Sequence, residues 1–237
     1  MPEINIKNDA QRVFNILQSG GIAIIPANVG YGIVATDPAA LDRIFTAKKR
    51  EPHKRHAMIG SYALKEIHRL SPRKEMVRLL TVDLDLPLGV VAPFHEDHPI
   101  IQKLGKDMLE KSSVDGTLSM LVNGGQLQDE LSRLATEAGV PLMGSSANLT
   151  GQGTKTLVED IEPEILAAAN IVIDYGRQKY HHPRPSSTMF DFKHMKLLRF
   201  GACYEVIQDV FQRFYGISLP DDPGRKELFS GHLPSES

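Results

Sequence analysis

Apolar residues along the chain alternate between helical spacing and short continuous runs. Val13, Phe14, Ile16 and Leu17 recur at helical spacing behind Asn8 or Asp9 as a cap, and Gly20-Gly21 ends that helix. Residues 21–26 are almost continuously apolar between breakers and predict a buried strand. A loop is predicted from Asn28 to Gly32, where Gly30 and Gly32 flank Tyr31 and let the backbone approach a ligand closely. Asp37-Pro38 starts a second helix through Leu41, Ile44 and Phe45, using the preference for proline at the first helical position. That helix runs into Ala47-Lys48-Lys49-Arg50, and Pro52 stops it.

Further along, the pattern predicts strands at 56–59, 86–93, 117–122, 140–144 and 171–174. Helices are predicted at 62–69, 71–80, 99–110, 127–138, 159–169 and 205–214, with a closing hairpin over 187–192 and 196–200. Residues 145–148 read as a loop after a strand. Strands and helices alternate without a break in composition, so residues 1–215 read as one α/β domain. Residues 216–237, with Pro220, Pro223, Pro234 and several Ser and Gly, read as a flexible C-terminal tail.

Composition narrows the class. With 237 residues, 41% hydrophobic and 24% charged, the chain has the make-up of an ordinary globular domain. A net charge of −2 argues against a protein basic throughout, as a histone-like nucleic-acid binder would be. The charge is uneven: ten Lys/Arg and two acids between Arg43 and Lys74 give that window +8 and leave −10 elsewhere. The window is either a solvated basic face or an anion site for nucleotide phosphates or RNA. Cys203 is the single cysteine, which excludes an internal disulfide and fits a cytoplasmic location. No apolar run reaches the ~18 residues of a membrane span, and the polar start of the chain predicts no targeting segment.

No phosphate-binding P-loop, dinucleotide fingerprint or H-E-x-x-H zinc motif is present. The histidine groups at 95–98 and 181–182 offer no spaced three-ligand set, so no protein-held metal is expected. Two short polar stretches remain. Lys48-x-Arg50 places two cations on an extended segment, where alternate residues face alike and can clamp a triphosphate or carboxylate. Ser146-x-Asn148 sets a hydroxyl and an amide at the C-terminal end of a strand, where open α/β sheets bind ligands.

Taken in order, four segments resemble the markers of the YrdC-like family. They are Ala47-Lys48-Lys49-Arg50, Ser145-Ser146-Ala147-Asn148-Leu149-Thr150-Gly151, Ser186-Ser187-Thr188-Met189-Phe190-Asp191 and Leu198-Arg199-Phe200-Gly201-Ala202. The Gly20-Gly21 strand and the loop from Pro26 to Gly32 also fit, so the resemblance spans about 8–205. It implies an α/β domain with a twisted mixed sheet flanked by helices around a concave basic cavity. It also implies synthesis of L-threonylcarbamoyladenylate from threonine, bicarbonate and ATP with Mg²⁺, releasing pyrophosphate. In that family a separate transferase then modifies adenosine 37 of tRNA.

Carried over to this chain, Lys48, Arg50, Ser146 and Asn148 are the catalytic and nucleotide-binding tetrad. Ser187 and Arg199 fall at the nucleotide, while Asn28, Tyr31 and Ser145 fall at the substrate. The magnesium is held mainly by the ATP phosphates. The chain departs from the family pattern in its amino-acid half. The family's P-T-[DE]-T-V-Y-G reads Pro26-Ala27-Asn28-Val29-Gly30-Tyr31-Gly32, Leu121 stands at its arginine, and Gly89 belongs to a segment that has lost a threonine. Lost hydrogen-bond partners change substrate choice. The expected activity is therefore a threonylcarbamoyladenylate synthase, a paralogue adenylating or carbamoylating another substrate, or a noncatalytic double-stranded RNA binder.

Overall fold

The protein, described by a computed structural model over residues 4–49 and 55–233, is built on a ten-stranded sheet. Helix α1 (Ile6–Gln18) buries Ala10, Val13, Phe14 and Leu17. It is capped by Asn5 rather than by Asn8 or Asp9, the Asn5 side chain accepting from Asn8 N–H at 3.1 Å. Strand β1 (Ala23–Ala27) turns directly into β2 (Gly30–Ala35), and the two pair antiparallel. The loop expected at 28–32 thus shrinks to a tight turn. Helix α2 (Pro38–Ala47) follows with Asp37 as cap and proline in its first turn, as its sequence dictates.

The chain continues through β3 (Ala57–Ile59), a single 3₁₀ turn at Tyr62–Leu64 where a longer helix was expected, and α3 (Lys74–Arg78). Helix α3 widens into a π turn at Leu79–Asp83 before β4 (Leu88–Pro93). The helix expected at 99–110 divides at Gly105, whose φ is +70°, into α4 (Pro99–Gln102) and α5 (Gly105–Ser112). Strands β5 (Ser113–Val114) and β6 (Thr117–Val122) lead to α6 (Gln126–Glu137) and β7 (Met143–Ser146). Residues 140–142 close the end of α6 instead of starting the strand, Val140 N–H donating to the Ala135 carbonyl at 2.9 Å. Ser145 and Ser146 are consequently strand residues. Helix α7 (Pro163–Ala168), strands β8 (Ile171–Val172), β9 (Thr188–Asp191) and β10 (Lys196–Arg199), and helix α8 (Tyr204–Tyr215) complete the domain.

The strand order is β10-β9-β4-β6-β3-β7-β2-β1-β8, with β5 on β6, and parallel and antiparallel pairs are mixed. One face packs against α2, α4, α5, α7 and α8 through residues such as Leu41, Ile101, Met108, Ile165 and Phe211. The other carries α1 and α6, through Val13, Leu17, Leu127 and Leu131 on Ile25, Val34 and Ile59. Each such buried aliphatic side chain contributes about 1.5–3 kcal/mol. The sheet also curls. Tyr180 N–H donates to the Asn28 carbonyl and Ser186 N–H to the Val29 carbonyl, both at 2.7 Å, while Ala202 packs on Ala27 and Val29. The turn between β1 and β2 is thereby joined to the segment entering β9, and a concavity is left on the α1/α6 face.

The C-terminal segment differs from the loose tail its composition predicted. Ile217, Leu219, Leu228 and Leu233 pack on the core, and Leu233 N–H donates to the Leu198 carbonyl at 3.1 Å. Arg184, 3% exposed, grips Asp222 through two contacts of 2.6 and 2.7 Å. Proline and polar residues set the composition of this stretch, whereas its four spaced aliphatics and one acid decide where it lies. Among the described residues no helix is long and apolar enough to cross a membrane.

Candidate functional site

The concavity holds a cavity of about 510 Å³, within the range usual for small-molecule sites. Sheet register orders its floor. Arg199 lies beside Met189, Met189 beside Gly89, Gly89 beside Leu121, and Leu121 beside Ile59. Ala57 then pairs with Gly144, Gly144 with Val34, Ser146 with Gly32, and Gly32 with Ile25. All these residues line the cavity. A register shift between Leu197 and Arg199 turns Arg199 onto this face, a common use of a bulge at a binding site. Glycine keeps the floor low: a Cβ at Gly89 would lie 2.6 Å from Met189 Cγ and 3.1 Å from Ser187 Oγ.

Lys48 caps the end of α2 and is 1% exposed. Its Nζ donates to the Ser146 carbonyl at 2.5 Å and to the Asn148 carbonyl. In return the Lys48 carbonyl accepts from Thr150 N–H at 3.2 Å and Thr150 Oγ1 at 3.0 Å. Helix α2 and the loop after β7 are thus locked in both directions, and Lys48 acts on the loop's backbone. Asn148 is buried beside it, with Nδ2 donating to the Leu149 carbonyl at 2.5 Å and Oδ1 buried without a partner. Only the amide nitrogen can face that carbonyl, so the oxygen is the acceptor left without a partner.

Arg199 donates to the Ser187 carbonyl at 2.8 and 3.0 Å and to Ser187 Oγ at 3.0 Å. Burial lowers its affinity for the proton, to a pKa of about 10, and it remains cationic at neutral pH. Among the described residues it has no carboxylate partner, and no Asp or Glu lines the cavity. An anion entering here meets the Arg199 guanidinium.

The structure brings Lys48, Ser146, Asn148, Ser187 and Arg199 to one cavity. Arg50 lies outside the described residues. The three substrate positions fare differently. Asn28 is not among the lining residues, because it points at Gly125 and its backbone joins Gly124 and Tyr180. Tyr31 borders the cavity, while its side chain sits on the opposite face from Gly30 and Gly32 and its hydroxyl lies 2.8 Å from both Asp174 Oδ1 and the Gly176 carbonyl. Burial and Asp174 hold that phenol well above its ordinary pKa. Ser145 borders the cavity, yet register sets its side chain on the face of Ile33, with Oγ buried and without a partner.

Sequence reasoning missed Arg55, Thr154, Arg184 and the wall formed by Arg225, Phe229, Ser230 and His232. None carries a local motif; long-range folding alone places them. Nor do the described residues of the basic window form one surface. Lys48 turns inward, Arg43 binds the Gly20 carbonyl at 2.6 Å, and Lys74 pairs with Glu66 at 3.3 Å. Among the described residues no group of three His, Cys, Asp or Glu could hold a metal ion.

An open mixed sheet, curled around a cavity whose described lining holds cationic side chains and no Asp or Glu, defines an α/β fold with a candidate small-molecule site. Within that class the chain belongs to the Sua5/YciO/YrdC family, described under telomere recombination, which its residues 15–201 match. No curated protein matches it. Among solved structures it is similar to the hypothetical protein smu.1377c of Streptococcus mutans UA159, with 21% identity, a TM-score of 0.73, and 88% of this chain and 93% of that one covered. It is also similar to P. abyssi Sua5 complexed with L-threonine, at 21% identity and a TM-score of 0.68; the match covers 93% of this chain and 61% of Sua5. E. coli YciO shares the fold at 18% identity and a TM-score of 0.60, with 80% of this chain and 86% of YciO covered.

Proposed function

We propose that this chain forms a carbamoyl-adenylate from an amino acid, bicarbonate and MgATP, releasing pyrophosphate, with L-threonine as the leading substrate and tRNA A37 modification as the destination. The observation that carries this reading is the cavity's pairing of an unpartnered acceptor, Asn148 Oδ1, with a guanidinium, Arg199, that has no carboxylate partner among the described residues. Family membership supports it.

In the proposed reaction the amino group and bicarbonate combine, with loss of water, to a carbamate. A carbamate oxygen attacks the α-phosphorus, and the bond to pyrophosphate breaks. No protein nucleophile is needed, so positioning and offsetting charge are the chain's contribution. Arg199 and Arg55 face the phosphates, while the Lys48 lock fixes the Ser146–Asn148 backbone against which the carbamate is held. The nucleotide would bring its own magnesium, which would offset phosphate charge beside the neutral oxygens of Ser146 and Asn148. Ala27, Val29 and Leu121 give the remaining wall an apolar character that favours an amino acid with a partly apolar side chain.

The test is pyrophosphate release with ATP, bicarbonate and each of the twenty amino acids. Release should depend on both bicarbonate and one amino acid, and should fall by about 100-fold in Arg199→Ala and at least about tenfold in Asn148→Ala, since charge-assisted contacts contribute about 1.5–3 kcal/mol. Release independent of amino acid, or unchanged in both variants, would refute the reading.

A further inference from the structure

One wall of the cavity comes from beyond residues 15–201, the stretch that matches the family. After α8 the chain returns along the edge of the sheet, and it is anchored on both sides of one exposed aromatic ring. On the near side, buried Arg184 binds Asp222 through both oxygens and donates to the Leu228 carbonyl at 2.5 Å. On the far side, Phe200 N–H donates to the Gly231 carbonyl at 2.9 Å, and His232 forms a β-bridge with Arg199. Between these anchors stands Phe229, 54% exposed although it borders the cavity.

The setting of that ring is specific. Its Cζ and Cε1 edge rests on Gly153, where a Cβ would lie only 3.1 and 3.2 Å away, and Gly153 has a φ of +73° that favours glycine. The Arg225 guanidinium sits over the ring, 4.9 Å from its centroid. One face is therefore backed by a cation, while much of the ring stays open to solvent at the cavity. An exposed aromatic side chain loses contact area with water only when something planar or apolar lies on it. The same cavity offers cations for a polyphosphate. A flat ring tethered to a polyphosphate meets both demands.

We propose that the C-terminal segment carries the nucleobase subsite, with the base of the nucleoside triphosphate stacking on Phe229 while its phosphates reach Arg199. This rests on the adenylation reading. Gly153 leaves room for the ring, Arg225 orients it, and the Arg184–Asp222 pair fixes the segment that presents it. Phe229 is then a substrate-contacting residue specific to the extension following the family-matched region.

The test compares ATP with inorganic tripolyphosphate by titration calorimetry on the full chain. Base stacking on an aromatic side chain is substantial, so Phe229→Ala should weaken ATP binding by roughly tenfold and leave tripolyphosphate unchanged. Phe229→Trp should restore ATP affinity. It also installs the chain's sole tryptophan, because the native sequence has none. ATP should quench its fluorescence and tripolyphosphate should not. Equal ATP affinity in wild type and Phe229→Ala, or equal losses for both ligands, would overturn the proposal and leave adenylation standing. A wild-type chain that binds neither ligand would overturn both.

Discussion

Asn148 and Lys48 show how residue-level chemistry separates two positions that sequence grouped as one tetrad. Asn148 leaves an amide oxygen buried and unpartnered, a state costing about 1–3 kcal/mol that a bound ligand can offset. Lys48 spends its ammonium on backbone carbonyls and shapes the site from behind. Titration behaviour belongs to this scale as well. His68 is buried, its Nε2 meeting the Leu118 carbonyl at 2.9 Å, which requires the proton on Nε2. Burial lowers its pKa to about 4, against the opposing effect of that hydrogen bond. Below the unfolded value of about 6.5 only the unfolded chain takes up the proton, so stability falls as the pH drops from 6.5 towards 4, by about 2 kcal/mol at pH 5. Urea titrations at pH 7 and pH 5 should show wild type losing about 2 kcal/mol more than His68→Gln. Parallel losses would remove His68 as the cause.

Among elements, the amphipathic helices α1, α2, α6 and α8 were legible because one stripe of apolar residues dictates each, and side-chain caps add to the signal only in α1 and α2. Strand β2 was not. Its cavity face carries Gly30 and Gly32, so the period-two alternation that marks a strand is erased where the floor must stay bare. β7 shifted for a related reason: Ser145 and Ser146 look like a turn, yet pairing with β2 makes them strand residues. Of the site, Lys48, Ser146, Asn148, Ser187 and Arg199 were legible from local motifs, whereas Asn28 is drawn away by contacts to Gly124 and Tyr180, and the Tyr31 hydroxyl is tied to Asp174 although Tyr31 borders the cavity, contacts that no local pattern encodes. The joint between α2 and the loop after β7 is testable at this scale. Lys48→Met leaves two carbonyls without their buried donor and should destabilise the fold by about 2–4 kcal/mol. Urea midpoints measure this, and an unchanged midpoint would show that the ammonium does not hold the loop.

For the whole molecule, the charge average concealed the arrangement that matters. A chain of net charge −2 places Arg55, Arg199 and Arg225 around a cavity with no Asp or Glu among its described lining residues, while Arg43 and Lys74 of the +8 window are spent on local contacts elsewhere. Curling of the sheet joins the β1–β2 turn to the segment before β9, and the C-terminal segment closes the remaining side. Arg184 and Asp222 lie 38 residues apart, so this closure is a product of the assembled fold rather than of any one motif. The central claim is that this enclosure joins a bicarbonate-derived carbon to an amino acid and an adenylate. Its most direct measurement is mass spectrometry of a reaction containing ¹³C-bicarbonate, ATP and the active amino acid. The expected product is an adenylate that contains the amino acid and one labelled carbon, together with pyrophosphate; an amino-acid adenylate without label, or none at all, would contradict the proposed reaction.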